Sequence, residues 1–441
     1  MIFKKTFLIM AASLAMSNFL LAQDKLTDFK PTGNLWGLVF GDFYYQTHRD
    51  SLGRGGGNVQ YRGNFVITNS AANGNNSQID AFQIRRAYLG YDFNMNNRVS
   101  VNTILAHEEG PNDVSSPGTK GLDAGGNNTL YLKYLYLKVS DIFKGSDLLI
   151  GQMRTPSFAT DYSTQPLSGY RSIERSVMDM HAVDASVDMG AALEGHLWTR
   201  RNVSDSLGSA FIGYNVMIGN NSSSAMATPN DRFKRYRGTL FVNTLQQKLT
   251  VGVYADQYTV SLLRDHHQLN ITLKGYVHYG TDWFRIGAEV FNQTNQNQDI
   301  YTTSKTAKAD TSNGIQFGWS VFGSSRIIKG KLNVFARMDQ YNPDIKFNKN
   351  YLVEGGKYTA SQTGGNFSTT TFYTQTFYSF GFDYTPFPRV HFMPNVWLNQ
   401  YNSMLANQSG NTKFDYDLVY RLTFYVIFNS AKSVRDNGLD N

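Results

Sequence analysis

From Trp36 to Phe428 the recurring signal along the chain is a two-residue period. It is clearest near the end, where Tyr416, Leu418, Tyr420, Leu422, Phe424, Val426 and Phe428 fall on one side. Asp415, Asp417, Arg421 and Thr423 fall on the other, joined by Tyr425 and Ile427. In the same way Leu249, Val251, Val253 and Ala255 oppose Thr250, Tyr254 and Asp256, while Phe284, Ile286, Ala288 and Val290 oppose Arg285 and Glu289. Leu332, Val334, Ala336 and Met338 oppose Asn333, Arg337 and Asp339. Successive side chains of a strand point to opposite faces, so each segment predicts a strand with one apolar and one wet face.

Read throughout, the alternation predicts about sixteen strands. They begin near residues 33, 80, 97, 129, 146, 188, 208, 234, 248, 265, 282, 314, 331, 373, 389 and 415, and most run 9 to 14 residues. Crossing a bilayer at a tilt takes about 9 to 11 residues, whereas strands of soluble sheets usually have about 5 or 6. Long polar connections at 47–79, 109–128, 155–187, 220–233, 293–313, 342–372 and 402–414 alternate with short turns such as 94–97, 245–248, 279–282 and 385–389. The link near 260 is the short exception on the long-loop side. An even strand number with both termini at the short-turn rim predicts an all-β fold, a transmembrane antiparallel β-barrel with its apolar face outward. A secreted sandwich or propeller also alternates. Against it, Phe43, Tyr44, Tyr45 and Tyr378, Phe380, Phe382, Tyr384 gather near strand ends, as the aromatic girdles of a membrane barrel do. No self-similar repeat of about 40 to 50 residues marks propeller blades.

The remaining composition agrees with this division. Only 17% of the 441 residues are charged, against roughly 25% in ordinary globular chains, while Tyr and Phe number 27 and 30. The mean hydropathy of −0.37 looks soluble, but lipid-facing and lumen-facing residues average out in a barrel. With no cysteine, a disulfide scaffold and a thiolate metal site are excluded. Residues 1–22 carry Lys4 and Lys5 ahead of an apolar run ending at Ala22, the pattern of a secretory signal peptide. Its removal takes the formal charge from +7 to +5. No later apolar run approaches the length of a transmembrane helix. The expected organisation is signal peptide 1–22, outer-membrane barrel 23–428 and a short periplasmic tail 429–441, with Phe428 as the terminal aromatic used in membrane assembly.

Two stretches carry a family resemblance. Gln83 to Tyr91, with the pair Arg85 and Arg86 ahead of small and aliphatic residues, resembles an early strand of general and phosphate-selective porins. The succession Leu149 to Phe158, Ile173 to Ser176 and Asp188 to Gly195 is similar to the phosphate-selective porin O and P family, in which a Gly-Gln strand end passes through Thr-Pro into a loop with a Glu-Arg turn. The motifs are dense over residues 80–200 and the likeness is architectural beyond them. The resemblance implies a sixteen-stranded outer-membrane porin of Gram-negative bacteria, a homotrimer, with the third long loop folded inward as a constriction.

An inward fold of that loop would place Arg171, Glu174, Arg175, Asp179 and His181 in or near the lumen, where rings of charge select ions. An alternative reading has Glu174 and Arg175 tie the loop to the wall. Parity puts Arg86, Arg235, Arg237, Lys274, Arg285, Arg337 and Arg421 on the inner face, together with Glu194 and Glu289, because a cation on the lipid face costs about 2 to 4 kcal/mol at mid-depth. Arginine forks suit phosphate and carboxylate, but Asp256, Asp339, Asp383 and Asp417 share that face, so many of the arginines are paired in one reading. The 155–187 loop has two arginines against Asp161, Glu174, Asp179 and Asp184, a formal charge of −2 that argues against strict phosphate selectivity. The resulting expectation is a diffusion channel for small hydrophilic solutes with a weak anion preference, and phosphate specificity as its narrower form.

Tyr88, Tyr254, Tyr276 and Trp397 on the inner face open a carbohydrate-selective alternative. A closed adhesion barrel and a barrel hydrolase are two further classes, although no nucleophile motif marks an enzyme. The glycines at 53, 55, 56 and 57 lack the strand-to-helix context of a phosphate loop. The adjacent His266 and His267 point to opposite faces and so do not chelate one metal. No cofactor, metal or nucleic-acid partner is expected, and the surrounding partner is outer-membrane lipid.

Overall fold

The computed structural model describes residues 29–50, 79–108, 130–158, 176–200, 209–221, 232–261, 267–301, 310–346, 373–404 and 414–429. The expected signal peptide, the glycine cluster at 53–57, Arg171, Glu174, Arg175, His266 and the tail beyond 429 lie outside the described residues.

Sixteen strands form in chain order: β1 (Thr32–His48), β2 (Ile79–Asn94), β3 (Val99–Glu108), β4 (Tyr131–Phe143), β5 (Ser146–Arg154), β6 (Val187–Arg200), β7 (Ala210–Gly219) and β8 (Arg235–Thr244). They continue as β9 (Leu249–Ser261), β10 (His267–Gly280), β11 (Phe284–Tyr301), β12 (Asp310–Ile328), β13 (Leu332–Asn342), β14 (Tyr373–Phe387), β15 (Val390–Ser403) and β16 (Phe414–Asn429). Each begins within four residues of the position read from the alternation. Every strand pairs with its chain neighbours, and β16 pairs antiparallel with β1, from Trp36 opposite Asn429 to His48 opposite Leu418, so the barrel is closed. Closure leaves no unpaired edge, which a bilayer would not tolerate.

The pleat sorts the side chains. On β16 Asp417, Val419, Arg421, Thr423 and Tyr425 are buried inside while Tyr420, Leu422 and Phe428 are exposed outside. On β9, Val251 and Val253 are 47% and 58% exposed, and the intervening Tyr254 is 2% exposed. An apolar outer band of this extent matches a hydrocarbon surrounding rather than water. Tyr378, Phe380, Phe382 and Tyr384 all face outward. Tyr44 does not join the girdle: it lies between the outward Phe43 and Tyr45 and is buried inside.

The register shifts at several places in the barrel, and two of these shifts, in β2 and β4, bear on the interior. Phe40 pairs with Arg86 and Gly41 with Ile84, leaving Arg85 as an extra residue in β2. Ile104 pairs with Tyr134 and Leu105 with Leu132, leaving Lys133 as an extra residue in β4. Such a bulge shifts the parity of the strand by one position. Glycines within strands serve cross-strand packing: a Cβ on Gly90 would come 2.2 Å from the Trp36 ring, and one on Gly287 would come 2.2 Å from Phe322.

The inner face is less uniformly polar than the alternation predicts. Phe40 and Tyr44 of β1, Phe322, Phe335, Phe377, Met393, Trp397 and Tyr425 form one packed apolar cluster on the inner wall of β12 to β1.

Candidate pore interior

The connection from β5 to β6 is described at 155–158 and 176–186. It leaves the wall through a single 3-10 turn, Pro156–Phe158. Ser176 then caps a short helix α1 (Val177–Met180), its Oγ accepting from the Asp179 N–H at 3.3 Å. Val177, Met178 and Val183 are fully buried against Tyr254, Phe291 and Tyr341, while Met180 packs into the cluster containing Phe335 and Phe377. His181 stacks on Tyr341 with ring centroids 3.5 Å apart. All these partners are inward-facing residues of the wall, so this part of the connection lies within the barrel.

A charged knot holds it there. Asp184 accepts from Arg237 Nη2 at 3.0 Å, from Ser157 Oγ at 2.6 Å and from Tyr254 Oη at 3.0 Å, and lies 3.1 Å from Arg235 Nη1. Arg237 also donates to Asp188 at 2.8 Å, and Arg235 donates to Asp256 at 2.6 Å and to the Val183 carbonyl at 2.9 Å. Burial pushes the Asp184 carboxyl upward, but the guanidinium groups of Arg235 and Arg237 outweigh it and hold the group below the ordinary 3.8. Burial alone pulls the His181 imidazole down to about 3.

On the opposite wall, Asp42 is fully buried and lies 2.6 Å from Arg421 Nη1 and 3.4 Å from Arg85 Nε. It also accepts from Gln83 Nε2 at 3.0 Å and from the Thr423 hydroxyl. Next to it Glu108 takes Arg86 Nε at 3.2 Å, the Lys133 ammonium, and the Tyr88 and Tyr131 hydroxyls. The cations lie over aromatic faces: Arg421 and Arg85 approach the Trp397 ring at 4.1 and 5.0 Å, and Lys133 lies 4.6 Å from that of Tyr88.

The other residues singled out in the sequence are placed as follows. Lys274 pairs with Glu289 at 2.6 Å and Arg337 with Asp339 at 2.7 Å, all inside and buried. Glu194 lies partly exposed, 3.4 Å from Arg154 and 3.5 Å from Lys138. Arg285 projects inward near the short-turn rim, between the outward Phe284 and Ile286. Asp179 and His181 are half-buried on and just after α1. Tyr254 and Trp397 are packed rather than bathed in solvent.

Sequence reasoning passed over Asp42, Glu108 and Lys133, noted Arg85 only within the motif and not as an inner-wall residue, and counted Asp184 among the acids of the constriction. The adjacent Arg85 and Arg86 held a usable signal, because strict alternation would send one of them into lipid at about 2 to 4 kcal/mol. Two consecutive cations in a membrane strand therefore imply a bulge.

No protein-family model matches the sequence, and no curated protein matches it. Solved structures do match in shape. The anion-selective porin from Comamonas acidovorans superposes with a TM-score of 0.51 at 9% identity, covering 90% of this chain and 100% of that one. The trimer form of OmpT, an outer membrane protein of Vibrio cholerae, gives 0.49 at 9% identity over 91% and 100% of the two chains, and Pseudomonas putida OprB gives 0.46 at 9% over 90% and 94%. At this identity the likeness is one of fold. The closed sixteen-stranded architecture and the outward apolar band define a transmembrane-type antiparallel β-barrel, and its fold is that of the porin structure it resembles.

Proposed function

We propose that this protein is an outer-membrane porin, a channel for small hydrophilic solutes with a weak preference for anions. The observation that carries the preference is the charge balance of one cluster on the inner wall, where β16, β1, β2, β3 and β4 meet. Within that cluster Arg421, Arg85, Arg86 and Lys133 surround two carboxylates, Asp42 and Glu108, while Asp417 lies apart from it, held by Tyr401 and Gln46. Charges buried in the wall are poorly screened, so the excess raises the local concentration of anions in an adjoining aqueous path. Across the barrel, Asp184, Asp188 and Asp256 are paired with Arg235 and Arg237. The porin from Comamonas acidovorans that shares the fold is itself named as anion-selective.

The motifs between residues 80 and 200 support a narrower version with phosphate among the permeating anions, a homotrimeric assembly, and export directed by residues 1–22. Sugar stacking finds less support: the Trp397 face is covered by Arg421 and Arg85, and the Tyr254 hydroxyl is held by Asp184 and Asp256. Reversal potentials of the purified protein in a planar bilayer under a KCl gradient test the reading, with a chloride-favouring sign expected. Strong cation preference would remove the anion reading, and absence of conductance would remove the channel.

A further inference from the structure

We propose that the anion preference is supplied by two inserted residues, Arg85 and Lys133, each carried into the barrel by a β-bulge. The inference rests on the porin reading above. Both residues are extra with respect to a neighbouring strand: the register passes from Ile84 to Arg86 opposite Gly41 and Phe40, and from Leu132 to Tyr134 opposite Leu105 and Ile104. The exposure pattern agrees. Ile84 and Leu89 are exposed outside while Arg85 is buried, and Leu132 and Leu135 are exposed outside while Lys133 is buried.

Each bulge has a device that accommodates it. Opposite Arg85 stands Gly41, where a Cβ would come 2.2 Å from the Gln83 carbonyl oxygen, so a side chain there would collide with the bulged strand. At Lys133 the Gln152 side chain donates to the carbonyls of Leu132 and Lys133 at 2.8 and 2.9 Å, filling acceptors that the broken ladder leaves open. Gly151, at φ +131° with its would-be Cβ 2.4 Å from the Leu135 carbonyl oxygen, brings Gln152 into reach. The Gly-Gln strand end noted in the sequence thus acts here as a clamp on the neighbouring bulge.

The charge balance follows from the insertions. Without Arg85 and Lys133 the cluster holds Arg86 and Arg421 against Asp42 and Glu108 and is neutral; with them it carries two excess positive charges. Deleting either residue brings outward and inward neighbours back into strict alternation, Ile84 with Arg86 and Leu132 with Tyr134. The deleted strands remain compatible with the barrel.

The test compares full-length wild type, the two single deletions, the double deletion and the double substitution Arg85→Gln with Lys133→Gln. A heat-modifiable gel shift reports folding, and reversal potentials in a KCl gradient report selectivity. Folded deletion variants are expected, with the chloride-to-potassium permeability ratio falling by about twofold or more in the double variants and by less in the singles. A double substitution that folds and keeps the wild-type ratio would overturn the proposal. So would deletions that fail to fold while the glutamine variants fold, because the residues would then be integral to the register. A wild type without conductance refutes the porin reading instead, and a cation-preferring wild type whose ratio still shifts in the double variants refutes only its anion preference.

Discussion

Asp42 on β1 and Arg421 on β16 meet at 2.6 Å across the seam where the first and last strands close the barrel. Both are buried, and Asp42 also holds Arg85 and Gln83 of β2, so one carboxylate joins three strands. Removing one member of a buried pair costs about 3 to 5 kcal/mol, because the other charge is left uncompensated. Asp42→Ala is therefore expected to lower the temperature at which the heat-modifiable band converts, and adding Arg421→Met is expected to recover part of the loss. A single variant that converts at the wild-type temperature would show that the seam does not depend on this pair.

The Asp184 knot predicts a pH dependence. Its carboxyl lies below the ordinary 3.8 because Arg235 and Arg237 outweigh burial, so the stabilisation is present above the unfolded value and is lost as pH falls through the lower folded one. Single-channel conductance is expected to hold steady as pH falls from 7 to about 4 and to become noisy only in stronger acid. Asp184→Asn should show that noise already at pH 7 while the gel shift persists. A quiet trace from this variant would mean that the knot does not hold the 176–186 segment.

His181 predicts the opposite kind of result. With its folded value pulled down to about 3, the imidazole stays neutral where a free one would titrate. Its burial favours the fold fully above about 6.5, and that contribution fades as pH falls toward 3. The conductance profile between pH 5 and 8 should be the same in wild type and His181→Gln. A step near pH 6 that vanishes in the variant would contradict the packing on Tyr341.

Two glycines offer a matched stability test. Gly287→Ala places a Cβ 2.2 Å from the Phe322 ring of the interior cluster, an overpacking expected to cost about 1 to 3 kcal/mol. At Gly275, on the lipid-facing side, no atom lies within 4 Å of the Cβ position, so Gly275→Ala should be neutral or stabilising by up to about 1 kcal/mol. Urea unfolding of both variants in lipid vesicles measures the difference, and equal effects would contradict the packing.

The strand count, the positions of the strand starts and the outward band were legible in the chain, because a two-residue period repeated sixteen times records which side of each strand meets lipid. The inward assignment of Arg421, Arg337 and Glu289 rested on the same parity. Parity failed where one inserted residue reset the period, at Arg85 and Lys133. It was also silent on what an inward residue touches: Asp184 could be counted as a constriction acid, but its pairing with Arg235 and Arg237 depends on a connection returning to a wall some fifty residues further along the chain.

The chain alone therefore determined a transmembrane barrel and its inside and outside, since burial in lipid is a local requirement that every strand satisfies separately. Only the tertiary structure decided how the interior charges balance. That sum depends on strand register, bulges and the placement of one loop, which are properties of neighbouring strands together rather than of any segment alone.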